Sequence, residues 1–108
     1  MIVRCTLVLP DDLDVAGRIA EVDIEDVTLA DAPARIVAQA RIPAAELPRV
    51  GRRLGPVELE VAAPPPGRRY AVRAQLQRED RLAAGDLLST VAIPVAGPGT
   101  IDVPLTTV

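Results

Sequence analysis

No histidine, lysine, phenylalanine or tryptophan occurs in this chain, and cysteine and tyrosine appear once each, as Cys5 and Tyr70. The absence of histidine removes histidine-based triads, the imidazole general base and the ordinary zinc site. The absence of lysine removes Schiff-base chemistry and the phosphate-loop lysine, and no glycine pattern for cradling phosphate is present. One aromatic ring makes no stacking platform for single-stranded nucleic acid. A lone cysteine closes no internal disulfide, so nothing in the sequence marks an oxidising compartment. No apolar run is long enough to span a membrane, and the opening MIVRCTLVLP is too short for a signal peptide. Arg4 also stands where a lipoprotein signal needs a small residue before its cysteine. As written, the sequence reads as a soluble, cytoplasmic protein without membrane insertion.

What the chain has in quantity is aliphatic. Hydrophobic residues make up 49% of its 108 positions, against 12 arginines and 15 acids for a net charge of −3. That length suits one domain over residues 1–108 with a core of Val, Leu, Ile and Ala. The acidic balance disfavours nucleic acid as a partner.

Period-two alternation recurs along the chain and helical periodicity does not. Strands are predicted over residues 2–9, 18–29, 36–42, 57–61, 70–76, 87–95 and 100–108, with one helical turn inside 44–50 kept short by Pro48. In 21–33, EVDIEDVTLADAP, the alternation of Val22 and Ile24 slips by one before Val27 and Leu29, which predicts a β-bulge at Glu25 and Asp26. Pro104 cannot donate to a ladder, so the last strand belongs at an edge. Seven short strands at regular spacing, punctuated by Pro and Gly, predict an all-β, antiparallel sandwich of the immunoglobulin/transthyretin-like Greek-key type.

Several polar residues fit turns better than chemistry. Asp26 suits the bulge, and Asp31 before Pro33 suits an Asx-type turn with Pro33 fixing the exit angle. Tyr70, at a strand start after a Pro-Gly turn, is placed to bond its hydroxyl to backbone across a Greek-key corner. Gly85 and Asp86 form a turn before a strand, with the acid as a local cap. Asp11, Asp12 and Asp14 invite a calcium reading, but the later bidentate glutamate of a calcium loop is missing, and a solvated acidic loop fits better. Cys5 alternates with Val3 and Leu7 as a small buried hydrophobe. These residues supply no catalytic, metal-binding or cofactor-binding set, so the sequence predicts a protein that is not an enzyme.

DVTLADAP from Asp26, RRYAVRAQL from Arg68 and GDLLSTVAIPV from Gly85, in this order, resemble the YbaY/YscW family of small bacterial β-sandwich proteins. That family includes outer-membrane lipoproteins and pilotin-type lipoprotein chaperones of type III secretion, and the resemblance extends over roughly residues 20–95. It implies a sandwich fold and a non-enzymatic module that binds a protein or peptide. The lipid-bearing cysteine of the lipoproteins has no counterpart, so outer-membrane anchoring is not carried over. Val37, Val91 and Arg73, read as outward-facing strand positions, are the expected partner surface. The alternative is a structural or self-associating domain that forms a homodimer through an edge strand such as the one carrying Pro104.

Overall fold

The computed structural model describes residues 1–29, 31–78 and 81–108. Ten strands form two sheets: β1 (Ile2–Val8), β2 (Ile19–Asp26), β3 (Arg35–Pro43), β4 (Arg49–Val50), β5 (Arg53–Glu60), β6 (Tyr70–Gln77), β7 (Leu87–Leu88), β8 (Ile93–Val95), β9 (Gly99–Pro104) and β10 (Thr106–Thr107). One sheet has the order β4-β5-β1-β9, the other β10-β7-β6-β2-β3 with β8 also on β6. Non-consecutive strands lie side by side in both sheets, β1 with β5 and β2 with β6, as Greek-key crossovers require. The all-β sandwich expected from the sequence is therefore present. A 3₁₀ turn over Ala44–Glu46 joins β3 to β4, inside the segment where one helical turn was expected.

The core follows from the alternation. Val3, Cys5 and Leu7 of β1 and Val57 and Leu59 of β5 face Ala20, Val22 and Ile24 of β2 and Val72, Ala74 and Leu76 of β6, all buried. With Tyr70 the single aromatic among them, the core is otherwise aliphatic, and each buried Leu or Ile contributes on the order of 2 kcal/mol by leaving water. On the outer face of the second sheet, β2 carries Glu21, Asp23 and Glu25. They meet Arg41 at 3.7 Å, Gln39 at 2.8 Å and Arg73 at 2.8 Å across its two neighbours, and Gln75 also donates to Glu21. This polar ladder lets β2 alternate apolar inward and acidic outward.

The strand pattern departs from the sequence expectation in four places. First, the count among the described residues is ten, because the strands expected over 87–95 and over 100–108 are each two and β4 lies where none was expected. The register pairs Leu88 with Gln75 and Ile93 with Val72, so residues 89–92 leave the ladder opposite Arg73 and Ala74. Second, the sheet holding β1 is mixed, since β9 runs parallel to β1 from Val3↔Gly99 to Val8↔Pro104. β9 is an edge strand, as Pro104 predicts, and Leu105 then carries the chain to β10 in the other sheet.

Third, β2 itself is not bulged. It keeps one continuous register with β6 from Ile19↔Gln77 to Asp26↔Tyr70. The extra residue lies on its other neighbour: Ile24 pairs with Ala38 and Glu25 with Ile36, so Val37 is the unpaired residue of a bulge in β3. The alternation in the sequence slips because β2 ends at Asp26. Fourth, the strand expected over 57–61 starts earlier, at Arg53, and from its end the chain passes through Pro64, Pro65 and Pro66 to β6 in the other sheet. The turns expected at 30–33 and 78–81 involve Ala30, Glu79 and Asp80, which lie outside the described residues.

Candidate functional site

A concavity of about 430 Å³ opens beside the end of β2 and the starts of β3 and β6. Three backbone features bring its lining together. β2 stops at Asp26, whose carboxylate Oδ1 accepts from the backbone N–H of Thr28 at 3.0 Å and from the Thr28 hydroxyl, an Asx turn that ends the strand. The Thr28 hydroxyl oxygen in turn accepts from the N–H of Arg69 at 2.9 Å, and Val27 N–H donates to the Arg69 carbonyl at 2.9 Å, so the β5–β6 connection is tied beside the turn. The bulge in β3 then sets Val37 inward, half-buried against the core, and leaves Ile36 on the outer face.

The resulting cleft has apolar walls from Leu29, Ala32, Pro33, Val37, Pro65 and Tyr70 and a charged rim of Asp26, Arg35 and Arg68. Leu29 is 61% exposed, the posture of an apolar side chain with no cover of its own. Asp26 is held below the usual carboxylate range first by its side-chain and backbone hydrogen bonds from Thr28, which outweigh the opposing effect of desolvation, and then, more weakly, by Arg68 and Arg35. Arg68 approaches the other carboxylate oxygen of Asp26 at 3.4 Å. Arg35 is exposed, and no described residue hydrogen-bonds or ion-pairs with it. The rim thus carries two guanidinium groups for one carboxylate.

The cleft continues into an open sheet edge. β3 ends its sheet, and among the described residues no strand pairs with its outer side. Its inward residues Val37, Ala38, Ala40 and Ile42 touch the core yet stay partly exposed, unlike their neighbours on β2.

The residues expected from the sequence are scattered among different structures. Asp26, Pro33, Val37 and Tyr70 line this cleft, although Val37 was expected on the outer face and the bulge turns it in. Tyr70 does not make the corner bond expected of it. Its ring is buried at the cleft, and its hydroxyl has no hydrogen-bond partner among the described residues. Asp31 is exposed and bonds to no described residue; an Asx turn needs the N–H two residues on, and residue 33 is proline.

Gly85 and Asp86 lie elsewhere. Asp86, 2% exposed, accepts from Ala83 N–H at 2.9 Å as a local cap, and its other oxygen sits 3.5 Å from both Arg18 and Arg78. Gly85 has φ +90°, and a Cβ there would meet Arg78 Nη2 at 2.8 Å. Arg73 pairs with Glu25 in a hollow of about 200 Å³ on the outer face of the sheet. Val91, 68% exposed, is in the excursion at 89–92 rather than on a strand. Asp12 pairs with Arg49 at 3.0 Å and Asp14 caps Ala16 N–H at 2.9 Å; among the described residues no three acids or cysteines gather to hold a metal.

Sequence reading missed Leu29, Arg35, Pro65 and Arg68 as cleft residues. The available signal was the DVTLADAP stretch itself, whose Asp26 and Leu29 flank a turn, together with the arginine pair preceding Tyr70.

Residues 2–95 match the sequence model of a family described as type III secretion system lipoprotein chaperone (YscW). Among solved structures, an alternative pilotin from the type II secretion system of Vibrio cholerae shares the fold, with a TM-score of 0.80 and 17% identity over 100% of this chain and 96% of that one. No curated protein matches the sequence.

Proposed function

Because the chain belongs to the YscW family of type III secretion lipoprotein chaperones, we propose that it is a non-enzymatic, chaperone-like module that holds a protein client at the cleft and β3 edge. The observation that carries this reading is the continuity of two incompletely covered surfaces. The apolar cleft with its exposed Leu29 runs directly into the partly exposed inner face of a nine-residue edge strand, paired with β2 on one side and with no described strand on the other. A client segment laid there gains main-chain hydrogen bonds from the edge and covers apolar side chains the fold leaves wet. The likeness to a pilotin supports the same class of role through a shared scaffold. The opposite edge, β9, is a poorer dock, since Pro104 offers no N–H and Leu105 leaves for the other sheet.

The test places a photo-crosslinking residue at Ile36 or at Val91 in the intact chain and recovers partners from the native host. A defined client crosslinked from Ile36, and lost in Leu29→Asp with an unchanged melting curve, sustains the reading. Crosslinks confined to Val91, or no client from either position, end it.

A further inference from the structure

β3 already displays, on its paired side, the chemistry of strand it accepts. Its neighbour β2 reads Glu21, Val22, Asp23, Ile24, Glu25, Asp26, with apolar side chains inward and carboxylates outward, closing on an inward carboxylate at the cleft. The outward Glu21 and Asp23 meet Arg41 and Gln39 of β3, and the inward Asp26 lies opposite Arg35 in the register. The free side of β3 offers the same inner row, from Val37 to Ile42, and the same Arg35, exposed and without an ion-pair partner among the described residues. Arg68, half-exposed at the mouth, adds a second cation that Asp26 engages at only 3.4 Å.

Resting on the chaperone reading above, we infer that the occupant of the β3 edge and cleft is an extended acidic segment in which apolar and carboxylate side chains alternate, a mirror of β2. Its apolar side chains cover Ala38, Ala40 and Ile42, and its carboxylate at the cleft end meets Arg35 and Arg68. A second copy of this chain is the wrong occupant. Antiparallel pairing of two β3 strands brings an edge that carries Arg35 and Arg41 and no acid between residues 35 and 43 against the same edge of the other copy, and like charges brought together across a pair are destabilising. The bulge at Val37 and the arginines that guard the edge against self-pairing are thus also what selects an acidic partner.

The probe is a soluble nine-residue peptide alternating glutamate and valine, compared with one alternating lysine and valine, titrated into the intact chain and followed by amide chemical shifts. The glutamate peptide binds with shifts confined to β3 and the cleft, at least tenfold tighter than the lysine peptide, and weakens with added salt. Arg35→Glu, at an exposed position, keeps the melting temperature, loses at least tenfold for the glutamate peptide and gains for the lysine peptide. Equal binding of the two peptides, shifts centred on β9 or on 89–92, or an unaltered charge preference in Arg35→Glu overturns the inference. A client that still crosslinks from Ile36 in Arg35→Glu also overturns it while leaving the chaperone reading intact; loss of all client binding by the wild type removes that reading instead.

Discussion

Ser89 and Ala74 bond to each other twice: Ser89 N–H donates to the Ala74 carbonyl at 2.8 Å, and Ala74 N–H donates to the Ser89 hydroxyl oxygen at 2.9 Å. The side chain stands in for the carbonyl that an uninterrupted strand would present, at the point where residues 89–92 leave the ladder. Both residues are buried, so Ser89→Ala strands the Ala74 N–H away from water. An orphaned buried donor costs about 1–3 kcal/mol. Urea unfolding checks this, with Val91→Ser as the control: it lies in the same excursion, is exposed, and stays within about 0.5 kcal/mol of the wild type.

A second prediction concerns the junction of β1 and β5. Cys5 pairs with Val57 and Leu7 with Leu54, so Thr6 alone faces Gly55 and Pro56, a bulge on β5. Gly55 has φ +125°, and a Cβ there would lie 3.1 Å from both the Cys5 carbonyl oxygen and the Val57 nitrogen. Both neighbours are backbone and neither can swing aside. Gly55→Ala therefore loses about 2 kcal/mol or more. Gly51→Ala, at φ +60° with open space around it, loses about 1 kcal/mol. Reversal of that order in thermal or urea unfolding refutes the crowding argument.

The other bulge, at Val37 in β3, shows why part of the fold was legible in the sequence and part was not. Alternation at Val3, Cys5 and Leu7, or at Val22 and Ile24, reports a buried face directly, because the side-chain period of a strand is two. A register shift is a property of two strands. The irregularity visible near Glu25 belongs in the structure to β3, where Val37 has no counterpart, and no single-strand pattern assigns it there. The break at Ser89 is hidden for a related reason, since Ser and Thr look strand-compatible and the reciprocal bond to Ala74 is long-range. The cleft depends on both kinds of information. Asp26 was visible as a turn residue and Tyr70 as the single aromatic at a strand start, though not as the corner bond expected of it, whereas Arg35 joins them only because the bulge resets the face that β3 presents.

The lone cysteine supplies a pH dependence. Burial pushes the Cys5 thiol from 9.0 up to about 11. Between those values the unfolded thiol is ionised while the folded one keeps its proton, so the unfolded state binds fewer protons and stability falls as pH rises. Below pH 9 the group contributes no slope. The full loss across the window is on the order of 2–3 kcal/mol, from about 1.4 kcal/mol per pKa unit. Cys5→Ala gives up some packing at neutral pH, and its stability declines less than the wild type's between pH 8 and 10.5. Matching declines in the two proteins exclude Cys5 as the source. In the folded wild type at pH 8 the thiol also resists alkylation until urea exposes it.

Gln77 gives the opposite kind of prediction, a substitution that stabilises. It closes β6 opposite Ile19, is fully buried, and neither its amide nitrogen nor its oxygen has a hydrogen-bond partner among the described residues. Both polar atoms therefore bear their loss of hydration without return, at about 1–3 kcal/mol for a typical buried unsatisfied group. Methionine has nearly the same length and flexibility and carries no such demand. Gln77→Met gains about 1–2 kcal/mol, which in a chain of this size raises the melting temperature by roughly 4–8 °C per kcal/mol. Gln77→Glu, which adds a charge at the same closed position, lowers it. Calorimetry separates these outcomes, because a Met variant that melts below the wild type means the amide is worth more to the fold than the hydration it gave up.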